Sequence, residues 1–160
     1  MPGERNTAEA VLDDYGDAIL RLAYSYLKNR ADAEDVLQDT LIQYITRAPK
    51  FESREHEKAW LLRVCINRCK NLLLTPWRQR REELSGNEPC FQSEDTGVLE
   101  AVTTLPVKYR EVIHLFYMEG YSTRELSMLL GRSEEAVRKQ LSRGRELLRA
   151  CMKEGSDFEE

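Results

Sequence analysis

Apolar side chains recur three and four positions apart along most of this chain, and the every-second-residue alternation of a half-buried strand is almost absent. From Ala8 to Leu27 the apolar positions are Val11, Leu12, Tyr15, Ile19, Leu22, Ala23, Tyr26 and Leu27. That spacing lines one face of a helix, and such a stripe must be covered by another element. Asn29 and Arg30 interrupt the pattern, and Ala31 to Ile45 resumes it with Val36, Leu37, Leu41 and Tyr44 or Ile45. Pro49 ends it, because the residue before a proline disfavours helical backbone. Phe51 to Glu55 reads as a loop, and Glu57 to Leu74 as a third helix closed by Thr75 and Pro76.

From Gln79 to Thr96 the periodicity fades into turn formers, Ser85, Gly86, Asn87, Glu88 and Pro89. Helical spacing returns in Val98 to Leu105, stopped by Pro106, and in Lys108 to Met118, with Gly120 just beyond its end. Two further segments follow, separated by Gly131. The expected fold is all-α: two small helical domains, 8–75 and 98–152, joined by a flexible acidic linker over 76–97. Each has a marginal core of its own.

The last two segments form a recognisable pair. Ser122 with Glu125 is a capping box, and the helix from Thr123 to Leu130 turns Leu126, Leu129 and Leu130 inward. Gly131 supplies a left-handed turn, and Ser133 is the next N-cap, followed by Glu134 and Glu135, which suit the positive end of a helix dipole. The final helix buries Ala136, Val137, Leu141, Gly144 and Leu148 and presents Arg138, Lys139, Ser142, Arg143, Arg145 and Arg149 on its other face. This is the helix-turn-helix layout, whose second helix enters the major groove N-terminal end first. Glu134, Glu135, Arg138 and Lys139 then lie nearest the base edges; Arg143, Arg145 and Arg149 are phosphate contacts or solvated charges.

A net charge of -4 argues against a polyanion partner until it is read by segment. Residues 1–46 carry 4 basic and 9 acidic side chains, residues 47–81 carry 10 and 3, and residues 82–105 carry none and 6. Residues 106–153 then carry 10 basic and 6 acidic side chains, before an acidic tail. Surface potential decays over about 8 Å at physiological salt, so two local basic blocks outweigh the total.

Within the first basic block, Arg63, Asn67, Lys70 and Asn71 share one face of the third helix, and His56 and Trp60 extend it. Phe51, Ser53, Arg54 and Lys58 lie in or near the preceding loop. Cations that track a backbone, rings that stack bases and amides that read edges suit single-stranded nucleic acid. Trp60, at a helix start, fits either a core position or a stacking platform. On the second helix Asp32, Glu34, Asp35, Gln38 and Asp39 make an acidic surface, either solvated or a docking face for a protein.

These stretches resemble a known family. Ala31-Asp-Ala-Glu-Asp-Val-Leu-Gln-Asp-Thr-Leu is similar to the region 2 core-binding motif of sigma-70 family factors. Ala59-Trp-Leu-Leu-Arg-Val-Cys-Ile-Asn-Arg-Cys-Lys-Asn resembles the segment after it, and Leu105 to Arg145 resembles region 4. Two such domains with a short linker match the extracytoplasmic-function (ECF) group most closely. The resemblance implies that Asp32, Glu34, Asp35, Gln38 and Asp39 bind the RNA polymerase core. It implies that Phe51, Ser53, Arg54, Trp60, Arg63, Asn67 and Lys70 engage the −10 promoter element and its displaced strand, a flipped base lying near Phe51 and Asn67. It assigns Ser133, Glu135, Arg138, Lys139, Ser142 and Arg143 to the −35 duplex. An anti-sigma factor is a further partner it implies. Ser127, Glu135 and Gln140 depart from the family pattern, which has alanine, glycine and a basic residue at those positions.

Other chemistries are poorly supported. Cys65 and Cys69 could share a metal, but no second close Cys/His pair completes a zinc set, and both suit a buried helix face. Glu111 and His114 make one Glu-x-x-His, where a di-iron bundle needs two. No cofactor, metal or catalysis is expected. Met1 to Ala10 has no apolar core of a signal peptide and no run reaches membrane-span length, so a cytoplasmic protein without membrane insertion is expected. The alternative is a helix-turn-helix regulator acting without polymerase. It leaves the acidic second helix unexplained and usually dimerises; no dimer helix is evident, and a monomer is expected when unbound.

Overall fold

The computed structural model describes residues 7–76 and 101–156, which divide into two helical units. Every regular element among them is helical. The expected linker and the extreme N-terminus lie for the most part outside the described residues.

The first unit packs α1 (Thr7–Leu27), α2 (Arg30–Arg47) and α3 (Arg54–Leu73) against one another. Val11, Tyr15, Ile19, Leu22, Ala23, Tyr26 and Leu27 of α1 are buried. They meet Ala33 and Val36 of α2 and Leu61, Leu62, Cys65, Ile66 and Cys69 of α3, the apolar stripes the spacing demands. Leu12 departs from the α1 stripe and is exposed. The α1–α2 connection is two residues long. Lys28 takes a left-handed backbone (φ 55°), and its N–H donates to the Tyr24 carbonyl at 2.8 Å. Asn29 then caps α2, its side-chain oxygen accepting the Asp32 N–H at 3.0 Å. A non-glycine residue in that conformation costs roughly 1–2 kcal/mol, which the cap and the buried helix pair offset. Arg30 therefore lies inside α2, where the sequence pattern suggests a break.

α3 begins earlier than periodicity implies. Ser53 is its N-cap, with Oγ accepting the His56 N–H at 3.0 Å, so Arg54 and Glu55 are helical instead of loop. The polar first turn carries no apolar signal, and the cap alone marks it.

In the second unit, residues 101–104 are helical and lead through the buried Leu105 and Pro106 into α4 (Val107–Ile113). Arg110 is buried and donates through Nη1 to the carbonyls of Thr103 (3.1 Å) and Leu105 (3.0 Å), tying this entry to α4. The expected helix to Met118 changes character at His114: residues His114–Met118 form a π-helical turn, with the Glu119 N–H donating to the His114 carbonyl at 3.3 Å. α5 (Thr123–Leu130) and α6 (Glu134–Ser156) follow, joined through Gly131 at φ 66°. Gly144 lets α6 approach α4, since a Cβ there would stand 3.1 Å from Cγ1 of Ile113.

Candidate functional site

Two surfaces of the first unit carry the residues singled out by sequence. The loop between α2 and α3 is held by an aromatic cluster. Phe51 stacks on Tyr44 (centroids 6.0 Å, planes 14° apart) and meets Trp60 (5.8 Å) and His56 (5.3 Å) edge to face. Trp60 meets Tyr44 edge-on at 6.2 Å. These are favourable arrangements of ring quadrupoles, each contributing roughly 0.5–1.5 kcal/mol beyond area. Trp60 and Phe51 are half-buried, so Trp60 is neither pure core nor a free platform: it packs in the cluster and keeps part of its surface exposed. Tyr44 anchors the cluster by donating its hydroxyl to Glu57 Oε2 at 2.7 Å. Burial, together with the accepting Glu57 carboxylate, pushes the Tyr44 phenol up to about 12.

The residues around this cluster have defined duties. Ser53 spends its oxygen on the α3 cap, and His56 Nδ1 accepts the Glu52 N–H at 3.2 Å, closing the loop. Arg54 is exposed, its guanidinium 3.3 Å from Asp14 and 6.0 Å from the Tyr15 ring centre. The Tyr15 hydroxyl donates to the Arg54 carbonyl at 3.5 Å. From Trp60 the outer face of α3 continues through Arg63 and Asn67, both exposed, to the half-buried Lys70. At 1.5 Å per residue this stripe runs about 15 Å, the reach of a few nucleotides.

The acidic residues of α2 do not form one uniform face. Glu34, Asp35 and Gln38 are exposed, Asp39 is half-exposed, and Asp32 is 7% exposed at the helix start. Asp32 is thus separated from the others by burial. Glu34 pairs with Arg30 at 2.9 Å, one helical turn away. Beside Gln38 the surface turns apolar, with Ile42 57% and Ile45 63% exposed. The periodic reading left Ile42 unassigned and offered Ile45 as an alternative to Tyr44 on the inward stripe, whereas Ile45 faces out. Their signal was available: Ile42 lies four residues after Gln38, on the acidic side of the helix.

The second unit is the anticipated helix-turn-helix. The capping box is complete: Ser122 Oγ accepts the Glu125 N–H at 3.1 Å, and Glu125 Oε1 accepts the Ser122 N–H at 3.0 Å. Ser133 caps α6, accepting the Ala136 N–H at 3.1 Å. Arg138, Lys139, Ser142 and Arg143 are exposed on one side of α6. Their charges are paired within the helix: Arg138 with Glu134 at 2.8 Å, Lys139 with Glu135 at 3.4 Å and Arg143 with Glu146 at 3.1 Å. Such exposed pairs are worth only a few tenths of a kcal/mol each. Arg145 is not among the open cations. It donates to the Tyr117 hydroxyl at 2.6 Å and lies 5.6 Å from the Phe116 and Tyr117 ring centres, bracing the π-turn.

The sequence matches the family model of Sigma-70 region 2 over residues 11–79 and that of Sigma-70 region 4 over residues 96–148, which together span most of the chain. The chain belongs to the sigma-70 family. Among curated sigma factors, SigV of Bacillus subtilis is 25% identical, aligned over 91% of this chain and 93% of its own length. The ECF factor SigW of the same organism is 27% identical, over 95% and 92%. The solved structure of CnrH in complex with the cytosolic domain of CnrY matches with a TM-score of 0.70 at 27% identity, covering 94% of this chain and 90% of that one. The sigma factor RpoE from Bartonella quintana, solved with the anti-sigma factor NepR, shares the fold at a TM-score of 0.74 and 22% identity, over 91% and 96%. The protein is an ECF-type RNA polymerase sigma factor and serves transcription initiation. No described helix is long and apolar enough to cross a membrane.

The three departures from the family pattern have local employment in this sigma factor. Ser127 donates its hydroxyl to the Arg132 carbonyl, closing the turn after α5. Gln140 accepts from Arg132 at 2.8 Å, and Arg132 also pairs with the buried Glu111. Glu135 is the carboxylate opposite Lys139.

Proposed function

We propose that the two units divide promoter recognition between them. In the first, Glu34, Asp35, Gln38 and Asp39 on α2, flanked by Ile42 and Ile45, dock on the polymerase core. The loop and α3 stripe, Phe51, Arg54, Trp60, Arg63, Asn67 and Lys70, hold the displaced −10 strand. Ser53 and Asp32 serve this surface indirectly, Ser53 as the α3 cap and Asp32 from a buried position at the start of α2. In the second unit α6 reads the −35 duplex through Arg138, Lys139, Ser142 and Arg143, with Ser133 and Glu135 at its leading end.

The observation that carries this reading is that aromatic cluster, cations and amide occur on one edge of a unit whose neighbouring helix is acidic and apolar. A duplex-binding regulator has no use for either. Flipping and unstacking a base costs a few kcal/mol, which ring stacking of roughly 1–3 kcal/mol per base and phosphate contacts offset. The chain performs no bond chemistry; it uses binding free energy to favour open over closed promoter. Such a factor works in the cytoplasm, and an anti-sigma factor is an expected partner; the similar RpoE was solved in complex with the anti-sigma factor NepR.

The test is footprinting of a promoter by core polymerase with and without the chain. Protection at both elements, with unpaired bases at the downstream one, supports the division. Protection of a single duplex site by the chain alone supports the regulator reading.

A further inference from the structure

We propose that Glu134 is a positioning residue for −35 readout, holding Arg138 in the orientation from which it meets a base and using α5 as its anchor. The proposal rests on the reading of α6 as the duplex-reading helix. A single oxygen, Glu134 Oε1, accepts both the Thr123 hydroxyl at 3.0 Å and Arg138 Nη2 at 2.8 Å. Thr123 opens α5, directly after its N-cap Ser122, and Glu134 opens α6. The carboxylate therefore links a fixed point of the first helix to a side chain one turn along the second.

The other cations assigned to −35 readout, Lys139 and Arg143, have no such anchor. Lys139 pairs with Glu135 and Arg143 with Glu146, carboxylates that lie well exposed on the same helix. Among the described ion pairs of α6, that of Arg138 is the one whose carboxylate is also hydrogen-bonded to another helix. An arginine carries five N–H donors, so one given to Glu134 leaves the fork free for a bidentate contact with guanine. A long side chain loses rotamer freedom on binding, and one already oriented loses less. Glu134 thereby makes Arg138 a base reader, where an untethered arginine would settle on any phosphate.

The experiment is selection of promoters randomised over the −35 element by holoenzyme reconstituted from core polymerase and the full chain. Wild type, R138A, E134A, E134Q and T123V are compared. R138A identifies the base position that Arg138 reads. E134A is expected to lose roughly fivefold of base discrimination at that position, the low end of what a well-held arginine–guanine pair provides, and to keep it elsewhere. E134Q retains the accepting oxygen and should retain most of the discrimination. T123V cuts the anchor and should give an intermediate loss at the same position. A wild-type profile for E134A or for T123V overturns the proposal, as does equal flattening at every position or a loss in E134Q as deep as in E134A. If R138A itself leaves the profile unchanged, the reading of α6 fails, and the proposal falls with it.

Discussion

Arg68 of α3 donates through Nε to Asp39 Oδ2 of α2 at 2.8 Å, a contact between the basic and the acidic helix of the first unit. Both side chains are about half exposed, so the pair contributes on the order of 0.2–1 kcal/mol. Its larger consequence is geometric. Asp39 is turned toward α3, leaving Glu34, Asp35 and Gln38 to look outward beside Ile42 and Ile45.

That division separates two aspartates of equal charge. Asp35→Lys is expected to weaken core polymerase binding by about tenfold, ~1.4 kcal/mol, without changing thermal stability. Asp39→Lys should weaken binding and also lower stability, because it places two cations together. Titration of labelled core enzyme, paired with thermal unfolding, checks both. Unchanged core affinity in Asp35→Lys removes the docking assignment.

Asn67 lies on the outer face of α3, clear of the cap and the aromatic cluster. Asn67→Ala is expected to reduce strand opening several-fold, as followed by a fluorescent base analogue in the −10 element, with −35 duplex binding preserved. Equal losses in both would contradict the separation of the two units' roles.

Much of this architecture was legible in the sequence because it rests on local rules. The α1 stripe, the Ser122–Glu125 box, the Gly131 turn and the Ser133 cap each follow from spacing and side-chain chemistry. Other features depend on tertiary geometry. The acidic motif of α2 appears uniform in one dimension, yet Asp32 is buried and Asp39 is drawn to Arg68. Arg145 reads as a phosphate contact or a solvated charge until the π-turn brings Tyr117 to it. The α3 start was missed because a polar first turn has no periodicity, and the linker reading falls outside the described residues.

Glu111 is 1% exposed and paired with Arg132 across the second unit. Arg132→Met removes this ion pair from a buried carboxylate and is expected to cost about 3 kcal/mol. Glu111→Gln in the same background should recover part of the loss by removing the charge. Chemical denaturation of the four variants of this cycle measures it; additive effects would deny the coupling.

Tyr44 gives a pH dependence with a definite sign. Its folded phenol ionises at about 12, above the ordinary value of 10, because burial and Glu57 favour the protonated form. Its contribution to stability is full below pH 10 and is lost as pH rises from 10 toward 12, since the unfolded chain gives up the proton first. The stability gap between wild type and Tyr44→Phe should therefore narrow across that window. A gap independent of pH would mean that burial and Glu57 do not raise the ionisation of Tyr44 in the folded chain.

Run-off transcription with core polymerase, using a promoter selected by the reconstituted holoenzyme, addresses the central claim most directly. The chain is expected to yield a discrete transcript that core enzyme alone does not make, and charge reversal at Asp35 is expected to diminish it. Tight binding to the same DNA with no transcript from any selected promoter would contradict the account.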